Sequence, residues 1–171
     1  ACHAECRHGH AGTAPLPVTS RGVRGWARVP GAAEPRTPRA VAAARVRPDV
    51  GIAIDVTLCG DTPGIEFSRL PISLGKGPAI KYFDWAPDAG YGSAVPRHLT
   101  DQLERAADAA GVAYQREVLM GGATDAWGIA NSGVLSGCVS VPSRYIHSAV
   151  GCVHLDDVEG AVKLLLAFIE D

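Results

Sequence analysis

Apolar positions show no period at the start of this 171-residue chain and become regular only from Val41 onward. Residues 1–40 mix Ala, Arg, Pro and Gly with small polar residues. Such a stretch buries too little apolar area to offset its ordering entropy, so an unstructured segment is expected. Beyond it, Val41–Val46 can form a helix and Arg47-Pro48-Asp49 turns. Val50–Thr57 reads as a strand whose apolar, β-branched residues run into the loop Gly60–Gly64. A second strand is expected at Ala79–Phe83, followed by a surface loop over Asp84–Ser93. Leu99, Leu103, Ala106, Ala107 and Ala110 recur at helical spacing, and Gly111 supplies the stop. Ala113–Leu119 alternates as a strand, Asp125–Asn131 forms a short helix, and Val134–Val141 is a further strand that ends at Pro142. A last helix covers about Asp156–Ile169, with Val158, Ala161, Val162, Leu165 and Ile169 on one face and Asp156 and Asp157 at its positive end. Strands alternating with helices define an α/β fold over residues 41–171.

Charge sharpens the boundary. Residues 1–48 hold eight of the thirteen arginines and six of the twelve prolines, with only Glu5 and Glu34 as acids. That segment carries +6 and the remainder −8, a break in composition of the kind that separates regions. The net charge of −2 gives no argument for a nucleic-acid partner, and none is expected. No apolar run reaches the roughly 18 residues needed to span a bilayer, so no membrane partner is expected either. The five cysteines, Cys2, Cys6, Cys59, Cys138 and Cys152, are odd in number, and Cys59 and Cys138 lie in or beside strand-like runs. Buried thiols in a reducing compartment fit this better than a disulfide framework, which points to the cytoplasm.

Candidate chemistry is thin. Cys2, His3, Cys6, His8 and His10 crowd the first ten residues, and Cys2 and Cys6 have an allowed zinc spacing. No second pair follows at a usable distance, so a ligand-rich tail is the favoured reading. Asp55 leaves the first strand and His147 follows the Val134–Val141 strand. Taken singly, each reads as a loop-capping or hydrogen-bonding residue. Together they form the mixed oxygen and nitrogen set that Zn²⁺, Co²⁺ or Mn²⁺ accepts, although a catalytic metal usually takes three protein ligands. Phosphate-loop, dinucleotide, nucleophile-elbow and His-Glu-x-x-His patterns are all absent.

Six ordered motifs go further. They are Ala53-Ile54-Asp55-Val56-Thr57, Gly60-Asp61-Thr62-Pro63-Gly64, Leu74-Gly75-Lys76-Gly77-Pro78, Tyr114-Gln115 with Glu117, Thr124-Asp125-Ala126, and Pro142-Ser143-Arg144-Tyr145-Ile146-His147-Ser148. With them, Val41–Asp171 resembles the C-terminal part of the glutamyl or tetrahedral aminopeptidases, dinuclear metallopeptidases some of which carry cellulase or endoglucanase names. The resemblance implies the C-terminal half of an α/β catalytic domain, two divalent ions (zinc or cobalt), a peptide substrate and a homo-oligomer. It makes Asp55 and His147 metal ligands, one on each ion, and gives Asp125 and Arg144 a place in the substrate pocket. Ala123 replaces a glycine more usual in that turn.

The family's first histidine ligand, bridging aspartate and Glu-Glu pair are not recognisable ahead of Asp55, so no general base is assigned. A small dimerisation domain is missing as well. A gene truncated or read out of frame before Val41 explains these departures together, which the genomic reading frames upstream of that codon decide. The resemblance therefore implies an aminopeptidase fragment inactive by itself. The alternative is a non-catalytic α/β remnant that acts only through association.

Overall fold

The computed structural model describes residues 38–171. The ligand-rich cluster Cys2, His3, Cys6, His8 and His10 lies outside them, as does nearly all of the segment 1–40. Strand β1 (Val50–Leu58) lies parallel to β5 (Leu135–Arg144), with Asp55 opposite Ser140. Strand β5 meets β2 (Ala79–Ala86) antiparallel at just two positions, Ala79 with Ser140 and Ile80 with Val139. Strand β2 then pairs with β4 (Gln115–Met120), parallel, and with its hairpin partner β3 (Tyr91–Ala94). A two-residue β6 (Cys152–Val153) pairs with the end of β5. The expected α/β fold is present as a mixed sheet.

Helices cover both faces. On one, α2 (Arg97–Ala109) and α4 (Leu155–Glu170) enclose a core of Ile80, Leu103, Ala107, Val139, Ala161, Leu164 and Leu165. On the other, the short α3 (Ala126–Ala130) packs on Ala53 and Cys138, and Cys59, Leu70, Ile72 and Ala79 form a second apolar cluster. Helix α1 (Pro38–Val46) opens on proline, whose missing N–H would have had no helical partner in the first turn. Helix α2 ends as its sequence indicates. Gly111 takes φ +64°, and the N–H groups of Gly111 and Val112 bond the carbonyls of Asp108 and Ala107 at 3.1 and 2.9 Å. Glu104 ties α2 to the sheet by accepting from Tyr82 and from Arg116, and the Arg116 guanidinium holds its carboxyl down at about 2.

Three expectations are corrected. The surface loop at Asp84–Ser93 is instead the β2–β3 hairpin, and Asp84 is fully buried. Its carboxylate accepts from the N–H and hydroxyl of Ser93 at 2.7 and 2.8 Å, and from those of Thr124 at 2.7 and 2.6 Å. Four donors replace the water it loses, which is what makes burial of the charge tolerable.

Strand β5 does not stop at Pro142 but continues to Arg144. The Ser143 carbonyl accepts from Cys59 N–H, so the backbone groups of Ser143 face β1. By alternation, the missing N–H of Pro142 faces the other way, past the first residue of β2, and no ladder bond is lost.

Helix α4 buries Asp157, Gly160, Ala161, Leu164 and Leu165, whereas Val158 and Val162 are exposed. The apolar stripe is wider than one face needs, and its registration follows Asp157. That carboxylate turns inward and accepts from Gly75 and Gly77 N–H, both at 2.7 Å. Gly77 is confined to glycine on two counts: φ is +90°, and a Cβ there would come within 1.8 Å of the Ala113 carbonyl oxygen.

Replacing Asp84 with alanine orphans four buried donors. Asp84→Ala is expected to lower unfolding stability by about 3–5 kcal/mol, read from urea denaturation, with Asp88→Ala on the exposed hairpin turn changing it by under about 0.5 kcal/mol.

Candidate functional site

Parallel pairing of β1 and β5 brings their carboxyl ends to the same edge of the sheet, where open α/β sheets handle ligands. Asp55 lies three residues before the end of β1 and is half-buried, on the face it shares with Ala53 and Thr57. Its Oδ1 accepts from the N–H of Val56 at 2.8 Å. His147 lies three residues beyond β5 and is exposed. Both His147 and Tyr145 have φ +60°, a left-handed conformation that costs a non-glycine residue on the order of 1 kcal/mol. The two predicted ligands thus sit at the ends of neighbouring strands, one on the strand and one on a strained loop.

Arg144 lies at this edge, whereas Asp125 lies away from it, at the start of the α3 helix that packs on Ala53 and Cys138. The Arg144 guanidinium engages Asp61, Nη2 to Oδ2 at 2.7 Å and Nε to Oδ1 at 3.3 Å. It ties the Gly60–Gly64 loop after β1 to the end of β5, and its hydrogen bond holds the Asp61 carboxyl below the usual range. Asp125 is half-buried at the N-terminus of α3, where its carbonyl accepts from Ile129 N–H at 3.2 Å.

Beneath the edge lies a buried polar layer that sequence reasoning missed. Lys81 of β2 and Glu117 of β4 form an ion pair at 2.6 Å, with side chains 0% and 1% exposed. The hydroxyl of Thr57 donates to Glu117 Oε1, and Lys81 Nζ lies 3.4 Å from Thr57 Oγ1. Thr57 is two residues along β1 from Asp55 and points to the same side of the sheet. One lysine within an apolar strand-like run gave no signal of a partner 36 positions away. Glu117 stood within a quoted motif without a role.

The two buried thiols are chemically quiet. Burial pushes both Cys59 and Cys138 up to about 12, so neither is a thiolate near neutral pH.

The donor types of Asp55 and His147 suit a divalent cation, but their number does not. Among the described residues, no group of three or more His, Cys, Asp or Glu side chains is placed to hold a metal ion. The described residues therefore do not fit a dinuclear centre on their own. Nor, among them, is any helix long and apolar enough to cross a membrane.

A mixed sheet covered by helices on both faces, with polar loops gathered at the carboxyl ends of a parallel strand pair, is an α/β domain frame. The M42 glutamyl aminopeptidase profile matches residues 38–164, and the chain belongs to that family. A candidate aminopeptidase of Acetivibrio thermocellus is 38% identical over 132 residues, covering 75% of this chain and 37% of its own length. An aminopeptidase of the archaeon Desulfurococcus kamchatkensis is 41% identical with a TM-score of 0.72, over 78% of this chain and 37% of that one. A TET1 peptidase of Pyrococcus horikoshii, described as able to assemble into a tetrahedron or a large octahedral shell, is 30% identical with a TM-score of 0.61, over 77% and 36%. The chain spans little more than a third of the length of these relatives.

The ion pair offers a direct test. Lys81→Met alone leaves Glu117 buried and uncompensated, and a loss of about 3–5 kcal/mol is expected in chemical denaturation. The double variant Lys81→Met/Glu117→Leu is expected to recover most of that loss, since an apolar pair carries no desolvation cost.

Proposed function

We propose that this chain is a partial catalytic unit of a metal-dependent aminopeptidase, in which residues 41–171 supply the second part of the domain. The observation that carries the reading is the placement of Asp55 and His147 at adjacent strand ends in a chain of M42 sequence. In this reading the two residues contribute one carboxylate and one imidazole to a pair of divalent ions, zinc or cobalt. The remaining ligands and the general base come from polypeptide outside the described residues. A metal centre completed in this way would supply Lewis-acid activation of water. Because the residues present are too few to hold it, no step is assigned to them beyond donating those two ligands.

Arg144 fits the substrate edge best by positioning the Gly60–Gly64 loop through Asp61 rather than through free donors. Asp125, at the N-terminus of α3, keeps its assignment to substrate binding on the family pattern alone. Peptide as substrate and assembly as a homo-oligomer follow the family, and the TET1 likeness supports the latter. A cytoplasmic location is consistent with the unpaired Cys59, Cys138 and Cys152.

The second reading is a non-catalytic remnant that acts by association. Apolar side chains exposed on β1 and α4 favour it.

For the purified 171-residue chain, the proposal expects no hydrolysis of aminoacyl p-nitroanilides and less than one bound ion per chain after dialysis against zinc or cobalt. Two tightly held ions with measurable turnover contradict the assignment of a partial unit.

A further inference from the structure

Helix α4 is capped by an imidazole. His154 stands at its N-cap with an extended backbone, φ −92° and ψ 130°, and its Nδ1 accepts from the N–H of Asp156 at 3.3 Å. Serine, threonine, asparagine or aspartate usually takes this place, and each keeps its acceptor oxygen through the neutral pH range. An imidazole nitrogen accepts only while it is unprotonated, and histidine is the residue type that changes charge between pH 5 and 8.

Protonation changes the balance at this cap. Nδ1 becomes a donor, so the N–H of Asp156 loses its acceptor. The imidazolium then stands at the positive end of the helix, where a cation is disfavoured. Its one gain is the Asp156 carboxylate, whose Oδ2 lies 3.7 Å from Nδ1, but that side chain is 84% exposed and such a pair contributes little in water. The other charged or titratable groups around the cap are Lys76 on the Gly75–Gly77 turn, His147 and Cys152 in the stretch that leads to it, and Asp157 on the helix. Arg144, opposite Cys152 on β5, is already held by Asp61, and Glu159 and Lys163 pair with each other further along α4.

The cap holds the turn that opens β2. The His154 ring lies against Gly75, with Cδ2 3.4 Å from where a Cβ would stand. Asp157, in the first turn that the cap secures, accepts from the N–H groups of Gly75 and Gly77. Ala79, just past this turn, pairs with Ser140, and so does Asp55 from the other side, which sets the turn close to the level of Asp55. On its other side His154 follows β6, which fastens the loop that bears His147 to the end of β5. We infer that His154 is a pH-sensitive latch between these two loops. Neutral, it caps α4 and braces the Gly75–Gly77 turn; protonated, it frees the first turn of the helix and slackens its hold on that turn. The latch uses contacts within the described residues and needs neither a metal nor a substrate, so it stands apart from the partial-unit reading.

The test is amide hydrogen exchange by NMR on the 171-residue chain at pH 5.5 and 7.5, with each rate corrected for the intrinsic pH dependence of exchange. Relative to the Leu103 amide in the middle of α2, protection at Gly75, Gly77 and Asp156 is expected to be roughly threefold or more lower at pH 5.5. His154→Asn and His154→Ser supply a cap oxygen that does not titrate, and both are expected to hold the same protection at the two pH values. His98→Asn, on the exposed side of α2, is expected to keep the wild-type response. Equal protection at both pH values in the wild-type chain overturns the inference. So does a pH response that survives both substitutions at position 154, which would assign it to His147, Cys152 or a carboxylate instead.

Discussion

The contact on which the candidate site depends is the buried pair of Lys81 and Glu117, capped by the hydroxyl of Thr57. Three strands meet there. Lys81 is on β2, Glu117 on β4 and Thr57 on β1, so one polar cluster fixes the lateral order of the sheet. Two charges withdrawn from water tolerate little displacement, because each loses its compensation when the other moves. The end of β1, and with it Asp55, is thereby held at one height relative to the neighbouring strands.

Around that cluster, other polar contacts hold the loops rather than the strands. Asp157 grips the Gly75–Gly77 turn through two N–H groups, and Gln115 bonds both the N–H and the carbonyl of Ser73 and the carbonyl of Gly77. Arg144 joins the loop after β1 to the last residue of β5. The motifs shared with the aminopeptidases are thus mostly scaffold: their glycines and polar residues fix loops so that a few side chains stand at one edge. Asp84 performs the same service between the β2–β3 hairpin and the turn before α3.

Periodicity made the elements legible. The strand at Val50, the helix ending at Gly111 and the final helix all follow from apolar spacing and one stop signal. Periodicity could not reveal what polar residues do when they are buried. Asp84 reads as a loop residue because nothing local says that Ser93 and Thr124 will supply four donors. Lys81 shows no local sign of its ion pair because its partner lies on another strand. The apolar stripe of α4 does not by itself say which part of it turns inward, because the helix is apolar around much of its circumference and Asp157, bonded to Gly75 and Gly77, sets its rotation. Asp55 and His147 stand out at strand exits and take a ligand role from the motif resemblance, and their spatial relation follows from the parallel pairing of β1 and β5.

Amide hydrogen exchange on the wild-type chain and on Glu117→Gln tests most directly whether the buried pair holds β1 in place. The reporter is the N–H of Cys59, which bonds the carbonyl of Ser143 at the end of the β1–β5 ladder. If the pair fixes the end of β1, this amide and its neighbours in the ladder exchange at least tenfold faster in the variant, while amides in the middle of α2 fall only with global stability. Equal acceleration in β1 and α2, or unchanged protection at Cys59, would contradict that role and leave the presentation of Asp55 without its physical cause.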